Sequence, residues 1–262
     1  MHLSIIIPVY NSELILPKLV QEINKALFKS NFEKELIFIN DYSKDNSWFE
    51  IKRLVKSYSF IKGINLKNNF GQHNAISAGL SFSSGKYIIM MDDDLQHDPA
   101  YILNILNELE KNFDACYVKY LERKHATWKK LLSNINHLTS SYLSSKSTKL
   151  YTSSFKGINR KICKIINNDK NLEVFLDWLI VENSKKIQTI DVLHRERLEG
   201  KTNYGIKKLL ILWSNMIIKI KSKNKFKLIL LSILKLIINF FIYKILNKKT
   251  YNEKFLIEEK TF

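Results

Sequence analysis

Short apolar runs alternate with helix-periodic stretches along the first two fifths of the chain. Ser4-Ile5-Ile6-Ile7-Pro8-Val9 is a β-branched run, and Tyr10-Asn11-Ser12 breaks it. Leu16, Leu19, Val20, Ile23 and Leu27 then recur at helical spacing, with Ser12 placed as an N-cap and Glu13 early in the helix. Glu35-Leu36-Ile37-Phe38-Ile39 predicts a second strand, closed by the polar loop from Asn40 to Ser47. A helix follows over roughly 47–58, then a strand at Ile61–Leu66, the polar segment Asn68-Asn69-Phe70-Gly71-Gln72 and a helix carrying Ala75, Ala78 and Gly79. Tyr87-Ile88-Ile89-Met90-Met91 is apolar on both faces, as a strand covered by helices should be. This βα series predicts an α/β fold with a mostly parallel sheet flanked by helices. Ligands in such sheets sit outside the carboxyl ends of the strands. The polar segments at 10–12, 40–46, 68–72 and 92–96 all fall there.

The pattern is less regular further on. Residues 99–113 read as a helix with Pro99 in its first turn, 172–182 as a helix and 187–193 as a strand. Between them, Tyr117-Val118-Lys119-Tyr120 is followed by a basic run and a Ser/Thr-rich stretch from Thr139 to Ser154. Past Gly205 the character changes. Lys219, Lys221, Lys223, Lys225 and Lys227 alternate with other residues, and Leu228 to Leu246 is apolar apart from Ser232, Lys235, Asn239, Tyr243 and Lys244. A span needs about 20 mostly apolar residues, and an interior lysine costs about 2.5–3.5 kcal/mol on insertion scales. Ser232, Lys235, Asn239 and Tyr243 share one helical face. The pattern predicts an interfacial helix with a basic entry rather than a span. The expected division is a catalytic domain over 1–205 and a helical, basic, membrane-associating segment over 206–262.

Composition sharpens this. The formal charge is +17, from 42 Lys and Arg against 25 Asp and Glu in 262 residues. From position 201 onward there are 14 Lys and three acids, Glu253, Glu258 and Glu259. That clustering points to a polyanionic partner. No reader motif or aromatic interleaving favours nucleic acid, which leaves an anionic membrane surface or a phosphorylated substrate. Cys116 and Cys163 make neither a disulfide framework nor a metal-ligand spacing. The apolar run at Leu3–Val9 lacks a basic flank and reads as a strand rather than a secretory signal.

The candidate chemistry centres on Asp92-Asp93-Asp94-Leu95-Gln96, at the end of an apolar strand. Three adjacent carboxylates there repel one another and desolvate badly. A divalent cation bridging to a phosphate would resolve the conflict, and oxygen ligands suit Mg²⁺ or Mn²⁺.

Taken together, SIIIPVYNSE, INDYSKDNS, NNFGQHNAISAG and GKYIIMMDDDLQHDP resemble the inverting family 2 glycosyltransferases of the GT-A fold, a Rossmann-like architecture. HRERLEGKTNY is similar to the subgroup that makes polyprenyl-phosphate sugars. The resemblance covers about 1–210. It implies a nucleotide diphosphate sugar as donor, with Pro8, Tyr10, Asn11, Asn40, Asp41, Gly71, Gln72, Asp92 and Asp93 about the nucleotide. It implies Asp92, Asp94 and Gln96 as metal ligands, with Asp93 outside that set, where the family often has Ala. Arg197, Lys201 and Tyr204 match the Arg-x-x-Gly-x-Ser-x-Tyr segment near the phosphates, with Thr202 in place of Ser. The acceptor implied is a polyprenyl phosphate or lipid-linked saccharide at the cytoplasmic face of the cell membrane, in cell-surface glycan synthesis. The protein would be peripheral there, with a single span as the alternative, and subgroup relatives often form homo-oligomers.

The chain departs from the family at two places. Asn40-Asp41 stands where two acids are usual, and Tyr120 falls where many relatives carry Arg, a charge Lys119 or Arg123 could supply. Transfer to a sugar hydroxyl is the alternative reaction. It needs a general base, for which Asp177, one helical turn from Glu173, is the candidate. A non-catalytic nucleotide-sugar binder is a further alternative, which intact Asp92, Asp94 and Gln96 argue against.

Overall fold

A computed structural model describes residues 2–121, 152–169, 176–192 and 255–262. The chain forms two compact units, and every described residue belongs to the first. Eight strands form one sheet: β1 (His2–Val9), β2 (Glu33–Asn40), β3 (Ile61–Leu66), β4 (Tyr87–Met90), β5 (Ala115–Tyr120), β6 (Lys156–Asn159), β7 (Ile187–Val192) and β8 (Ile257–Thr261). The helices are α1 (Leu16–Ala26), α2 (Ser47–Ser57), α3 (Gln72–Phe82), α4 (Ile102–Glu110), α5 (Arg160–Asn168) and α6 (Leu176–Asn183).

The strand order is β7-β5-β6-β4-β1-β2-β3-β8. The β1–β2, β2–β3, β1–β4 and β5–β7 pairs are parallel, and β6 and β8 run antiparallel to their neighbours. From β1 the chain first builds outward through β2 and β3, then returns to place β4 on the other side of β1. The carboxyl ends of β1 and β4 therefore lie side by side where the winding reverses, the crevice in which α/β sheets bind ligands.

The first four βα steps follow the hydrophobic pattern. Leu3, Ile5, Ile6, Ile7 and Val9 are at most 1% exposed, as expected for a strand covered on both faces. On α1, Leu16, Leu19, Val20 and Ile23 point into the core. Other boundaries differ. The predicted helix over 99–113 is a 3-10 turn at Pro99–Tyr101 running into α4, and it stops where Asn112 takes a left-handed φ of 67°. Among the elements not expected are β6 and α5. β6 is four residues long and includes Gly157, too short to show a period, whereas α5 carries a legible signal. Asn159 Oδ1 accepts from Ile162 N at 3.0 Å, and Ile162, Cys163 and Ile166 follow at helical spacing.

The last residues also differ from the helical expectation for 206–262. Ile257–Thr261 forms β8 on the edge of β3, with Glu258, Glu259 and Lys260 exposed, as suits a protected sheet edge. The apolar stretch 228–246, and with it the interfacial-helix expectation, lies outside the described residues. Among the described residues no helix is long and apolar enough to cross a membrane.

At the opposite end of the sheet from the polar loops, Glu35 is 4% exposed. Its carboxylate accepts from Ser4 Oγ at 2.5 Å, Ser84 N at 2.6 Å and Lys62 Nζ at 2.6 Å. Burial alone would raise its pKa, but Lys62, Ser4 and Ser84 outweigh it and hold Glu35 at about 2, against 4.5 ordinarily. A depressed carboxyl pKa contributes stability that is complete above the ordinary value and lost as the group protonates in the fold. Stability should therefore fall as pH drops from 4.5 toward 2. Glu35→Gln should flatten that limb of a urea-denaturation series against pH.

Gly85 lets β4 approach β1. A Cβ there would lie 2.5 Å from Ser4 N, a backbone atom that cannot swing aside. Gly85→Ala should cost about 1–3 kcal/mol or more, read as a fall in the urea midpoint at unchanged slope.

Candidate active site

The crevice between β1 and β4 is built by four loops, each tied to the next by hydrogen bonds to side chains. Asn11 follows β1 with φ 56°, a left-handed turn that Asn tolerates well. Its Oδ1 accepts from Lys44 N at 2.8 Å, and its N–H donates to Ser43 Oγ at 3.0 Å, joining the β1 loop to the β2 loop. Asp41, at the end of β2, accepts from Phe70 N at 2.7 Å and Gly71 N at 2.9 Å. That pins the loop after β3 and the start of α3, where Gly71 takes φ 86°. The first residue of α3, Gln72, donates from Nε2 to Asp92 Oδ1 at 2.6 Å. Residues 8–11, 40–41, 71–72 and 92–96, predicted separately, thus converge on one crevice. Arg123, Arg197, Lys201 and Tyr204 lie outside the described residues, as does Glu173.

The acidic triplet is not three equivalent charges. Asp92 is ringed by donors: Gln72 on Oδ1, and Ser154 Oγ at 2.7 Å and His97 Nε2 at 3.1 Å on Oδ2. Burial would raise its pKa, but the His97 and Ser154 bonds, with the nearby charge of Lys156, bring it below the ordinary carboxyl value. Asp93 turns the other way, toward β1. Its Oδ2 accepts from Ser12 Oγ at 2.6 Å and Tyr10 N at 3.3 Å. Burial, only partly offset by those bonds, and the flanking charges of Asp92 and Asp94 push it up to about 7. Much of the repulsion that seemed to require a cation is thus relieved by the fold. Asp93 also has a structural task, since it clamps the β1 loop to the β4 loop. Ser12 accordingly does not cap α1 with its side chain. Its carbonyl accepts from Ile15 N at 3.0 Å, while the hydroxyl goes to the stronger acceptor, the carboxylate.

Asp94 and Gln96 share a tight turn. Asp94 Oδ1 accepts from Gln96 N at 3.1 Å across Leu95, whose φ is 58°. A left-handed leucine is unfavourable, and its side chain, 3% exposed, anchors the turn in the core.

His97, to which no sequence motif gives a role, supports Asp92. Because a carboxylate only accepts, Nε2 carries a proton toward Asp92, and Nδ1 is hydrogen-bonded to the Tyr120 hydroxyl. Tyr120, 8% exposed, is thus turned inward to hold His97. Lys119, one candidate for the missing charge, pairs with Asp191 at 3.7 Å. Ser154 was missed as well, since nothing distinguishes it within a Ser/Thr-rich stretch.

Asp177 sits in the first turn of α6 in an ion pair with Lys156, and its Oδ1 also accepts from the Tyr117 hydroxyl at 3.1 Å. The Lys156 side chain is 3% exposed and that of Asp177 is 16% exposed. Burial and the adjacent Asp177 push the Tyr117 phenol well above its ordinary pKa. A base that must release a buried ammonium to take a proton is poorly placed for general-base work.

The donor set fits a hard divalent cation. Asp92, Asp94 and Gln96 offer only oxygen, and each carboxylate oxygen has two acceptor sites. Among the described residues there is no cluster of three or more His, Cys, Asp or Glu side chains placed to hold a metal. Two carboxylates and one amide leave coordination positions for phosphate and water, as Mg²⁺ and Mn²⁺ commonly require.

Comparison with known proteins agrees with this geometry. The family model for glycosyl transferase family 2 matches residues 4–166. The chain is 30% identical over 212 residues to an uncharacterized glycosyltransferase of Bacillus subtilis, covering 79% of this chain and 64% of that protein. It is 30% identical over 215 residues to an undecaprenyl-phosphate 4-deoxy-4-formamido-L-arabinose transferase of Shewanella sediminis, covering 82% of this chain and 65% of that protein. It thus spans just under two thirds of these relatives. Among solved structures it is similar to a Mycobacterium tuberculosis glucosyl-3-phosphoglycerate synthase in complex with Mn²⁺ and UDP-glucose (TM-score 0.58, 13% identity, 82% of this chain and 76% of that one). It is also similar to a Pyrobaculum calidifontis mannosyltransferase in complex with GDP-mannose and Mn²⁺ (TM-score 0.56, 14% identity, 83% and 62%). At such identities these likenesses speak for the fold, which is GT-A-like. With the matched family segment spanning the strand ends that build the crevice, the chain belongs to glycosyl transferase family 2.

Proposed function

We propose that the protein transfers a sugar, with inversion, from a nucleotide diphosphate sugar to a polyprenyl phosphate at the cytoplasmic face of the membrane. The observation that carries this reading is the Asp92–Gln96 segment at the β1–β4 reversal, bounded by the Asp41-pinned loop and the start of α3. The name of the Shewanella relative supports the acceptor, and the Mn²⁺ and nucleotide-sugar complexes of the structural neighbours support the donor and the metal.

In this reading Asp92, Asp94 and Gln96 would hold Mg²⁺ or Mn²⁺, which would supply positive charge for the leaving diphosphate. Gln72, Ser154 and His97 keep Asp92 ionised and oriented, and Asp93 fixes the two loops that frame the donor. Pro8, Tyr10, Asn11, Asn40 and Asp41 frame the nucleotide, and Arg123, Arg197, Lys201 and Tyr204 are assigned to the phosphates and acceptor. Residues 206–250 would hold the crevice near anionic lipid through their lysines. An acceptor phosphate is already ionised at neutral pH and needs no strong base, which accords with an Asp177 committed to Lys156. Positioning and electrostatics then do most of the work.

The test is incubation of the protein with undecaprenyl phosphate or, in parallel, an undecaprenyl-linked saccharide, together with Mn²⁺ and a panel of nucleotide sugars, followed by mass spectrometry of the lipid fraction. A glycosylated lipid phosphate is expected with one donor. Extension of a lipid-linked saccharide, with none on the bare phosphate, would assign the protein to hydroxyl transfer instead.

A further inference from the structure

β8 reaches the carboxyl end of β2 through a line of buried amides. β8 pairs with β3 so that Asn65 faces Glu259 and Leu66 faces Ile257, which leaves Glu258 as the extra residue of a bulge. Bulges re-aim side chains, and here Glu258 Oε2 accepts from Asn65 Nδ2 at 2.9 Å. Glu259, the next residue, instead accepts from Trp48 Nε1 at 2.7 Å. Asn65 lies beside Asn40 in the parallel β2–β3 register, and Asn40 Nδ2 donates to Asn65 Oδ1 at 2.7 Å. At the far end Asn40 Oδ1 accepts from Ser43 N at 3.3 Å. Asn40 and Asn65 are 3% and 9% exposed.

Two facing amides can pair in either of two orientations, because each carries both donors and an acceptor. A carboxylate only accepts. Glu258 therefore forces Asn65 to present Nδ2 to it and Oδ1 to Asn40, and Asn40 must then donate through Nδ2. The longer Ser43 contact at the other end asks for the same order. The run has one polarity, and it leaves Asn40 with one N–H and one oxygen lone pair in fixed order. Uracil and cytosine present opposite donor and acceptor orders on the edge that such an amide can read. A free amide could flip to suit either, whereas one held in a polarised run cannot.

We propose that the C-terminal strand sets the nucleobase selectivity of the donor pocket, with Glu258 as a positioning residue acting through Asn65 on Asn40. This rests on the reading of the crevice as a nucleotide-sugar site. It also gives an account of Asn40, which lacks the charge usual at that position. The Glu258 carboxylate sits one amide away from Asn40, across Asn65.

Calorimetry with uridine, cytidine, guanosine and adenosine diphosphates in the presence of Mn²⁺ tests it. The unmodified chain should prefer its best nucleotide over the next by about tenfold or more, the effect of one mispaired buried hydrogen bond. Glu258→Gln, which can both donate and accept, should cut that ratio to about threefold or less while the melting temperature stays within a few degrees. A ratio unchanged in Glu258→Gln overturns the proposal. If no nucleotide binds the unmodified chain, the proposed function fails and this selectivity role fails with it.

A second measurement isolates the run from nucleotide binding. Asn40→Asp sets an acceptor against Asn65 Oδ1, and turning Asn65 over sets that oxygen against Glu258. The single variant should lower the melting temperature by several degrees, and adding Glu258→Gln, whose amide can donate to the turned Asn65, should restore more than half of the loss. Simple additivity of the two changes would overturn the run.

Discussion

Alanine at Asp94 is expected to lower sugar transfer by at least about 100-fold. Among the described residues Asp94 accepts from Gln96 N, in a turn that the buried Leu95 side chain already anchors. Loss of that bond costs about 1 kcal/mol. In the proposed chemistry the same carboxylate is one of only two charged ligands for the cation, so its removal should fall on the reaction. Mn²⁺ titration at saturating donor is the sharper readout, since the metal requirement should rise along with the loss of rate. Asp93→Asn is the informative contrast. The amide oxygen can still accept from Ser12 and Tyr10, and a carboxyl already pushed up to about 7 has less charge to lose. Its rate should stay within about tenfold of the unmodified protein, the mild end of the effects seen for groups that only support metal ligands. If Asp94→Ala retains full turnover, the metal assignment is wrong. If Asp93→Asn matches the loss at Asp94, the division of the triplet is wrong.

Asp177→Ala should produce the opposite profile, a stability loss of about 3–5 kcal/mol. The change strands the Lys156 ammonium, 3% exposed, and removes the acceptor of the Tyr117 hydroxyl. A loss of that size could consume much of the stability of an ordinary domain. Urea unfolding of the single variant and of the pair Lys156→Met with Asp177→Leu measures it. The pair should recover most of the loss, because replacing both charges by apolar groups removes the desolvation penalty together with the attraction. It should still be slower than the unmodified chain, since the charge of Lys156 helps keep Asp92 ionised. A stable Asp177→Ala protein that has lost all transfer would instead restore Asp177 as a general base, and with it a hydroxyl acceptor.

The hydrophobic pattern was enough to place β1 to β4, α1 to α3 and the four polar segments that meet at their carboxyl ends. Each of those elements is local, with a period or an apolar run inside a dozen residues, and parallel βα winding leaves little choice about where their ends go. The triplet was legible for the same reason, as acids at the end of a fully apolar strand. Its inner division was not. Whether Asp92 or Asp93 carries the charge depends on Ser12, Gln72, His97 and Ser154, up to 81 positions away in sequence, and no local pattern encodes such a pairing.

The same limit explains the other surprises. Asp177 reads as a solvent-facing acid or a base until β6 brings Lys156 beneath it, and β6 is too short to announce itself. Glu258 reads as one more charge on a basic tail until β8 adds to the edge of β3 and a bulge turns it onto Asn65. By itself, then, the sequence determined the βα core and the acidic segment at the end of β4, because burial periodicity and strand ends are local properties, while its motifs carried the resemblance to the family. Only the tertiary structure decided which carboxylate is ionised, which is bonded away and which is spent on an ion pair. Those outcomes depend on desolvation and on donors supplied from distant strands.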